Sequence, residues 1–341
     1  MSPRAAFREG LHRVNGAPAL LAGTFAVTLV VSLPLAYALQ GMIAAHLGSS
    51  LAADTAASGT NLEWWREFLS QANGLGTTFV PTMTGFGAVL DNLSGFLDLS
   101  RPAATIIGVT VAWMVLWSFL TGGIIDRLAR AKRTRSQGFF AACGLHVWRL
   151  LRLGVAALIA YGILFRYVHG WIFDDAYGAL TRDVTLESTA FAIRVAGYAI
   201  FGMLLILCNV IFDYARIRII VEDRRSAIGA LLAGGRFVGR HPAQVLGLYA
   251  LNALAFLLLV ILYAGLVPGA PRSGLSMWLT LGLGELYIFG RHYLKLLFYA
   301  SQTVFFQGAL AHAAYTAAPV PVWPDSPAAE MIGNADPAGQ P

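Results

Sequence analysis

Apolar runs of membrane length alternate along this chain with polar stretches whose charge changes sign from one to the next. Six runs are long enough to cross a bilayer, at residues 17–45, 102–125, 153–173, 189–212, 242–267 and 275–298. About 20 mostly apolar residues suffice, because a helix of that length satisfies its own backbone hydrogen bonds across the hydrocarbon. The pattern predicts an all-α, polytopic transmembrane helix bundle of six spans. Between the first two runs, residues 46–100 keep a 3.6-residue rhythm in shorter pieces. Asn61 is positioned to cap a helix with Leu62, Trp65, Phe68, Leu69 and Ala72 on one side, and Phe79, Met83, Phe86, Leu90, Leu93 and Leu97 repeat the period around Pro81. Both pieces are expected as amphipathic helices on the outer membrane surface or over the bundle, with Trp64 and Trp65 at headgroup level.

Charge supplies the direction. The first connection group (Arg4, Arg8 and Arg13 at the N-terminus; Arg127, Arg130, Lys132, Arg133 and Arg135 after the second run; Arg216, Arg218, Arg224 and Arg225 after the fourth) is basic, whereas the segments after the first and third runs carry Asp54, Glu63, Glu67, Asp174, Asp175 and Asp183. Basic connections face the cytoplasm, so both termini are expected inside and the chain is read as a bacterial inner-membrane protein. A seventh span at 79–99 would turn Arg127 to Arg135 outward, against this pattern. Arg4 to Arg13, the following apolar run, Pro34 and "AYA" at Ala36 to Ala38 resemble a secretory signal. The run stays apolar past that site, however, and an uncleaved first span is expected. The division is then a basic N-terminus (1–16), a membrane domain (17–316) and a Pro/Ala-rich tail (317–341) too poor in large apolar residues to order itself. Residues 296–314 remain apolar with no turn residue before them, which favours extension of the sixth helix over another span.

Composition agrees: 57% of the 341 residues are hydrophobic and 12% charged, against about 25% charged in soluble domains. The net charge of +6 comes from residues beside apolar runs, which excludes a nucleic-acid surface and leaves the bilayer and its anionic phospholipids, or other membrane proteins, as partners. Cys143 and Cys208 form no paired motif, the seven histidines have no metal-ligand spacing, and no G-x-S-x-G nucleophile turn occurs. No cofactor, metal site or catalytic group is indicated, and no enzymatic activity is expected.

Two connections repeat an order of span, Asp, basic turn, short helix and span, once through Asp126 with Ser136 placed as a cap and again through Asp213 and Ser226. The second of these, "IFDYARIRIIVEDRRS", and the final "GELYIFGRHYLKLLFYASQ" resemble six-helix bacterial inner-membrane proteins grouped by topology, among them the membrane domain attached to some glycerophosphodiester phosphodiesterases. The resemblance covers the second half of the chain and implies a six-helix bundle without implying an activity.

Within the last run, at 1.5 Å per residue from Leu275, Glu285 lies about 15 Å deep, Arg291 about 24 Å and Lys295 about 30 Å. Arg291 and Lys295 are placed to snorkel to lipid phosphate, as Arg133, Arg135, Arg236 and Arg240 are on the inner hairpins. Glu285 is too deep for that. Arg166, near His169 in the third run, is the available partner, and a Glu285–Arg166 clamp neutralises two costly charges. His292, on the face of Glu285, is a further candidate. The expectation is a structural, accessory or lipid-interacting membrane protein. The alternative is a small-solute or ion permease using Glu285, for which Pro34, Asn209 and Asn252 are the only further hints.

Overall fold

The computed structural model describes residues 1–48, 50–57, 61–79, 104–132, 134–267 and 274–310. All elements among them are helical: α1 (Pro3–Asn15), α2 (Pro18–Leu47), α3 (Ala52–Ala57), α4 (Leu62–Gln71), a 3-10 turn (Gly74–Thr78), α5 (Ala104–Arg130), α6 (Ser136–Ile163), two π-helical stretches (Leu164–His169 and Trp171–Ala176), α7 (Tyr177–Thr181), α8 (Glu187–Val221), α9 (Ala227–Arg240), α10 (Pro242–Leu266) and α11 (Leu275–Ala309). From Ser136 to Thr181 the helix is unbroken. Five helices are long and apolar enough to cross a membrane: α2, α5, the α6–α7 rod, α8 and α10. The sixth expected span lies within α11, which has 35 residues but carries Glu285, Arg291 and Lys295.

Length decides where the core sits. A 35-residue helix such as α8 or α11 is about 52 Å long, well beyond the roughly 30 Å of hydrocarbon that a bilayer offers. The surplus is packed against protein at one end. Ala6 and Val14 of α1, Ile124, Ile125 and Leu128 of α5, Val210 to Val221 of α8, Phe237 of α9 and Leu296 to Phe306 of α11 contribute to one buried cluster. Along the rest of the rods, Val30, Leu33, Leu158, Ile159, Phe191, Leu257 and Leu258 stand exposed, an apolar surface suited to lipid. A small second cluster, Ile172, Phe201 and Leu205, ties the α6–α7 rod to α8 further along.

The basic N-terminus is therefore not a loose segment but the helix α1. Ser2 accepts from the Ala5 amide at 3.3 Å, and Pro3 starts the first turn, where a missing N–H costs nothing. Its small-residue face docks on α11. A Cβ on Gly10 would lie 2.9 Å from Ser301. Arg13 donates to the Leu128 carbonyl and to Gln307 Oε1, both at 2.9 Å, and Gln307 donates to the Ala129 carbonyl at 3.2 Å. Arg127 returns a bond to the Gly16 carbonyl at 3.2 Å.

At the other end, Asn61 caps α4 by accepting from the Trp64 amide at 2.9 Å. The buried side chains of α4 are Trp64 and Phe68; Leu62 is exposed. The Trp64 indole donates to His46 Nδ1 at 3.1 Å and stacks on Phe68. The run continuing to Leu97 and the tail at 317–341 lie outside the described residues.

The repeated hairpins differ in detail. Ser226 caps α9 by accepting from Gly229 at 3.1 Å, and α9 stops at His241 before Pro242 opens α10. Ser136 makes no such cap, Arg135 occupies the cap position, and the short helix expected there is continuous with the span. No proline interrupts the first hairpin; Pro242, without an amide hydrogen to donate, separates the two helices of the second.

The close approach of α1 to α11 predicts that Gly10→Val lowers stability by about 1–3 kcal/mol, the usual cost of overpacking, in thermal unfolding of the detergent-solubilised protein. Gly239→Ala, whose added methyl meets no heavy atom within 4 Å, serves as the control and should leave the transition in place.

Candidate functional site

The polar groups of the bundle gather where α8 and α11 approach the packed end. Asp213 of α8 is buried and forms an ion pair with Arg216, one turn on, at 2.9 Å. Its other oxygen accepts from Gln302 at 3.2 Å and Asn209 at 3.3 Å, and Asn209 also donates to the Tyr249 hydroxyl at 3.2 Å. A carboxylate out of water is stable only when paired and hydrogen-bonded on both oxygens; helices α8 and α11 supply those partners, and Tyr249 of α10 holds Asn209.

Two cavities border this network. One, of about 660 Å³, is lined by Asp213, Arg216, Arg291, His292, Lys295 and Tyr249 among others. The other, of about 330 Å³, lies against α5 and α6. Trp113, Arg216, Lys295 and Tyr299 line both. The larger cavity thus collects Arg216, Arg291 and Lys295 against the single carboxylate of Asp213. That imbalance attracts an anion, more strongly in a site walled by low-dielectric helices than in water.

Lys295 does not snorkel away from the bundle. Its ammonium sits 3.4 Å from the centroid of the Trp117 ring, a cation–π contact, and Trp117 in turn donates to the Tyr299 hydroxyl at 3.1 Å. His292 is buried, with Nε2 2.9 Å from Thr28 Oγ1. Since the Thr28 hydroxyl has one hydrogen and gives it to the Thr24 carbonyl at 2.9 Å, the ring donates from Nε2. His292 Nδ1 is then an acceptor, and it is buried without a partner. Arg291 is exposed and lies over the Tyr287 ring.

The expected Glu285–Arg166 clamp is not present. Arg166 is exposed, Glu285 Oε2 is buried without a hydrogen-bond partner, and the ion pairs among the described residues do not join them. The helix order explains this. The rod carrying Arg166 packs on α5, α8 and α9, whereas α11 packs on α1, α10, α5, α2 and α8 and, among the described residues, makes no extensive contact with the rod. His169 lies near Arg166 among Phe165, Phe173 and Phe201. Arg135, Arg236 and Arg240 are exposed at the packed end, and Arg133 lies outside the described residues.

The residues missed from sequence are Asp213 and Arg216 as a pair, with Tyr249, Gln302 and Trp117 around them; Asn209 was noticed, but not as their partner. Asp213 and Arg216 stood out only as a hairpin marker and a topology charge. The i, i+3 spacing of opposite charges at the close of an apolar run was the available signal. Tyr249 and Gln302 carried none. Among the described residues, no three His, Cys, Asp or Glu side chains come together as a metal site.

The network predicts non-additivity. Asp213→Leu strands Arg216, Asn209 and Gln302, and should cost about 3–5 kcal/mol; Asp213→Leu with Arg216→Leu should recover a large part of it in a thermal unfolding cycle. Simple addition of the two single losses would break the account.

Comparison of the chain with known protein families, curated proteins and solved structures finds no match, and the functional reading therefore rests on this geometry.

Proposed function

We propose that this chain is a lipid-interacting, non-enzymatic integral membrane protein whose cationic cavity holds the headgroup of an anionic lipid. The observation that carries the reading is the convergence of Arg216, Arg291 and Lys295 on one cavity that contains a single carboxylate. A phosphate accepts charge-assisted bonds from guanidinium and ammonium groups, and such bonds are about twice as strong as neutral ones. The flanking Trp113, Trp117 and Tyr299 suit the boundary between headgroup and chain. In this reading the chain makes six spans, α11 being the sixth, and lies in a bacterial inner membrane with the packed, basic end and both termini in the cytoplasm. The likeness of its second half to six-helix inner-membrane proteins belongs to the same proposal.

The test uses the full chain in nanodiscs of mixed phosphatidylcholine and phosphatidylglycerol, released for native mass spectrometry. Wild type should retain the anionic lipid selectively. Arg291→Gln and Lys295→Gln should each weaken retention about tenfold or more, the equivalent of one charged hydrogen bond. Equal retention of the two lipids would sink the proposal.

Permeation by way of Glu285 is the second reading, favoured by one observation, the buried and unpartnered Oε2. Proteoliposome flux of protons and small ions decides it. A lipid-binding protein conducts no more than empty vesicles; conduction abolished by Glu285→Gln would put the permease reading first.

A further inference from the structure

The two cavities that share Trp113, Arg216, Lys295 and Tyr299 differ in character on either side of that wall. Against α5 and α6 the lining is mostly apolar, with Met114, Leu150, Leu153, Gly154, Leu158 and Phe212 beside Ser118, Thr121 and Tyr161. Leu150, Leu153 and Phe212 are buried while Met114 and Leu158 are exposed, so this side runs from the lipid-facing surface of the bundle inward to Arg216. The other side carries more hydrogen-bonding groups, Thr28, Asn209, Asp213, Tyr249, Arg291 and His292, set among Phe256, Ile288, Leu294 and Phe298. At about 30 Å³ for a group the size of water, the apolar side holds on the order of ten chain atoms and the polar side on the order of twenty.

We infer that the two cavities form one site for a phosphodiester lipid with an uncharged polyol headgroup: chain between α5 and α6, phosphate at Arg216 and Lys295, and hydroxyls in the polar cavity. This rests on the anionic-lipid reading above and specifies the ligand. A phosphate alone leaves most of the polar cavity unfilled. The groups beyond the phosphate position suit hydroxyls: the Tyr249 hydroxyl and the Asp213 carboxylate. A choline or ethanolamine head brings a cation beside Arg291, where like charge disfavours it. A hydroxylated neutral head meets no such opposition, and it can exchange hydrogen bonds with the Tyr249 hydroxyl.

The experiment measures dissociation constants of phosphatidylinositol, phosphatidylglycerol, phosphatidic acid and phosphatidylethanolamine for the full chain in phosphatidylcholine nanodiscs, with glycerol phosphate as the chain-free arm. Phosphatidylinositol and phosphatidylglycerol should bind more tightly than phosphatidic acid, although phosphatidic acid carries the greater charge. Phosphatidylethanolamine and glycerol phosphate should bind weakest. Tyr249→Phe keeps the ring against Phe298 and should weaken phosphatidylinositol about fivefold, the loss of one neutral hydrogen bond, without changing phosphatidic acid. Gly154→Leu grows into open space and should weaken every chain-bearing lipid while sparing glycerol phosphate. Phosphatidic acid binding as tightly as the polyol lipids would overturn the headgroup assignment while leaving the anionic-lipid reading standing. No anion binding above the phosphatidylethanolamine level would overturn both. Glycerol phosphate binding as tightly as phosphatidylglycerol would overturn the assignment of the chain cavity and identify a soluble phosphate as the ligand.

Discussion

A bilayer can hide only about 30 Å of helix, and this chain makes helices that outrun it. Everything else in the fold answers that excess. The ends of α5, α8 and α11 that lipid cannot cover are covered by α1 and α9, each of which brings a face of mostly small residues, that of α9 carrying Phe237 as well. The result inverts the usual picture of a soluble core. The rods present apolar surface along most of their length, and dense packing begins where they converge. The polar network of Asp213, Arg216 and Gln302 lies at that transition, where α8 and α11 are close enough to satisfy a buried carboxylate on both oxygens.

Much of the helical frame was legible because its cause is local. Apolar runs, caps such as Asn61 and Ser226, and the unbroken stretch from Lys295 into 296–309 follow from residue type and spacing, and the helices form there. Ser136 was misjudged because a serine at a helix start caps only if the backbone before it turns out, and here Arg135 holds that place. The docking of α1 was not legible, since nothing near Gly10 reveals that Ser301 will face it.

The candidate site was half legible, and the reason is instructive. Glu285 drew attention by being an acid in an apolar run, yet a charge is noticed in sequence by its contrast, while a site is made by neighbours in space. Lys295 and Arg291 were identified as cations and read as pointing to lipid phosphate from outside. The Trp117 ring beneath Lys295 turns it inward instead, and that contact joins helices α5 and α11, 178 residues of chain that no periodicity spans. Arg166 was chosen as a partner by depth alone. Depth fixes one coordinate of a helix in a bundle; the order of helices around it fixes the other.

Arg13 and Gln307, joined by a hydrogen bond, are 294 residues apart. At a synthesis rate of about 5–20 residues per second, the ribosome needs roughly 15 to 60 s between making one and making the other. For all of that time α1 exists without the helix it is shaped to fit. Among the described helices α11 is the last, and it closes on the first, so a polypeptide that has not yet reached Ser301 keeps Gly10 and its neighbours uncovered.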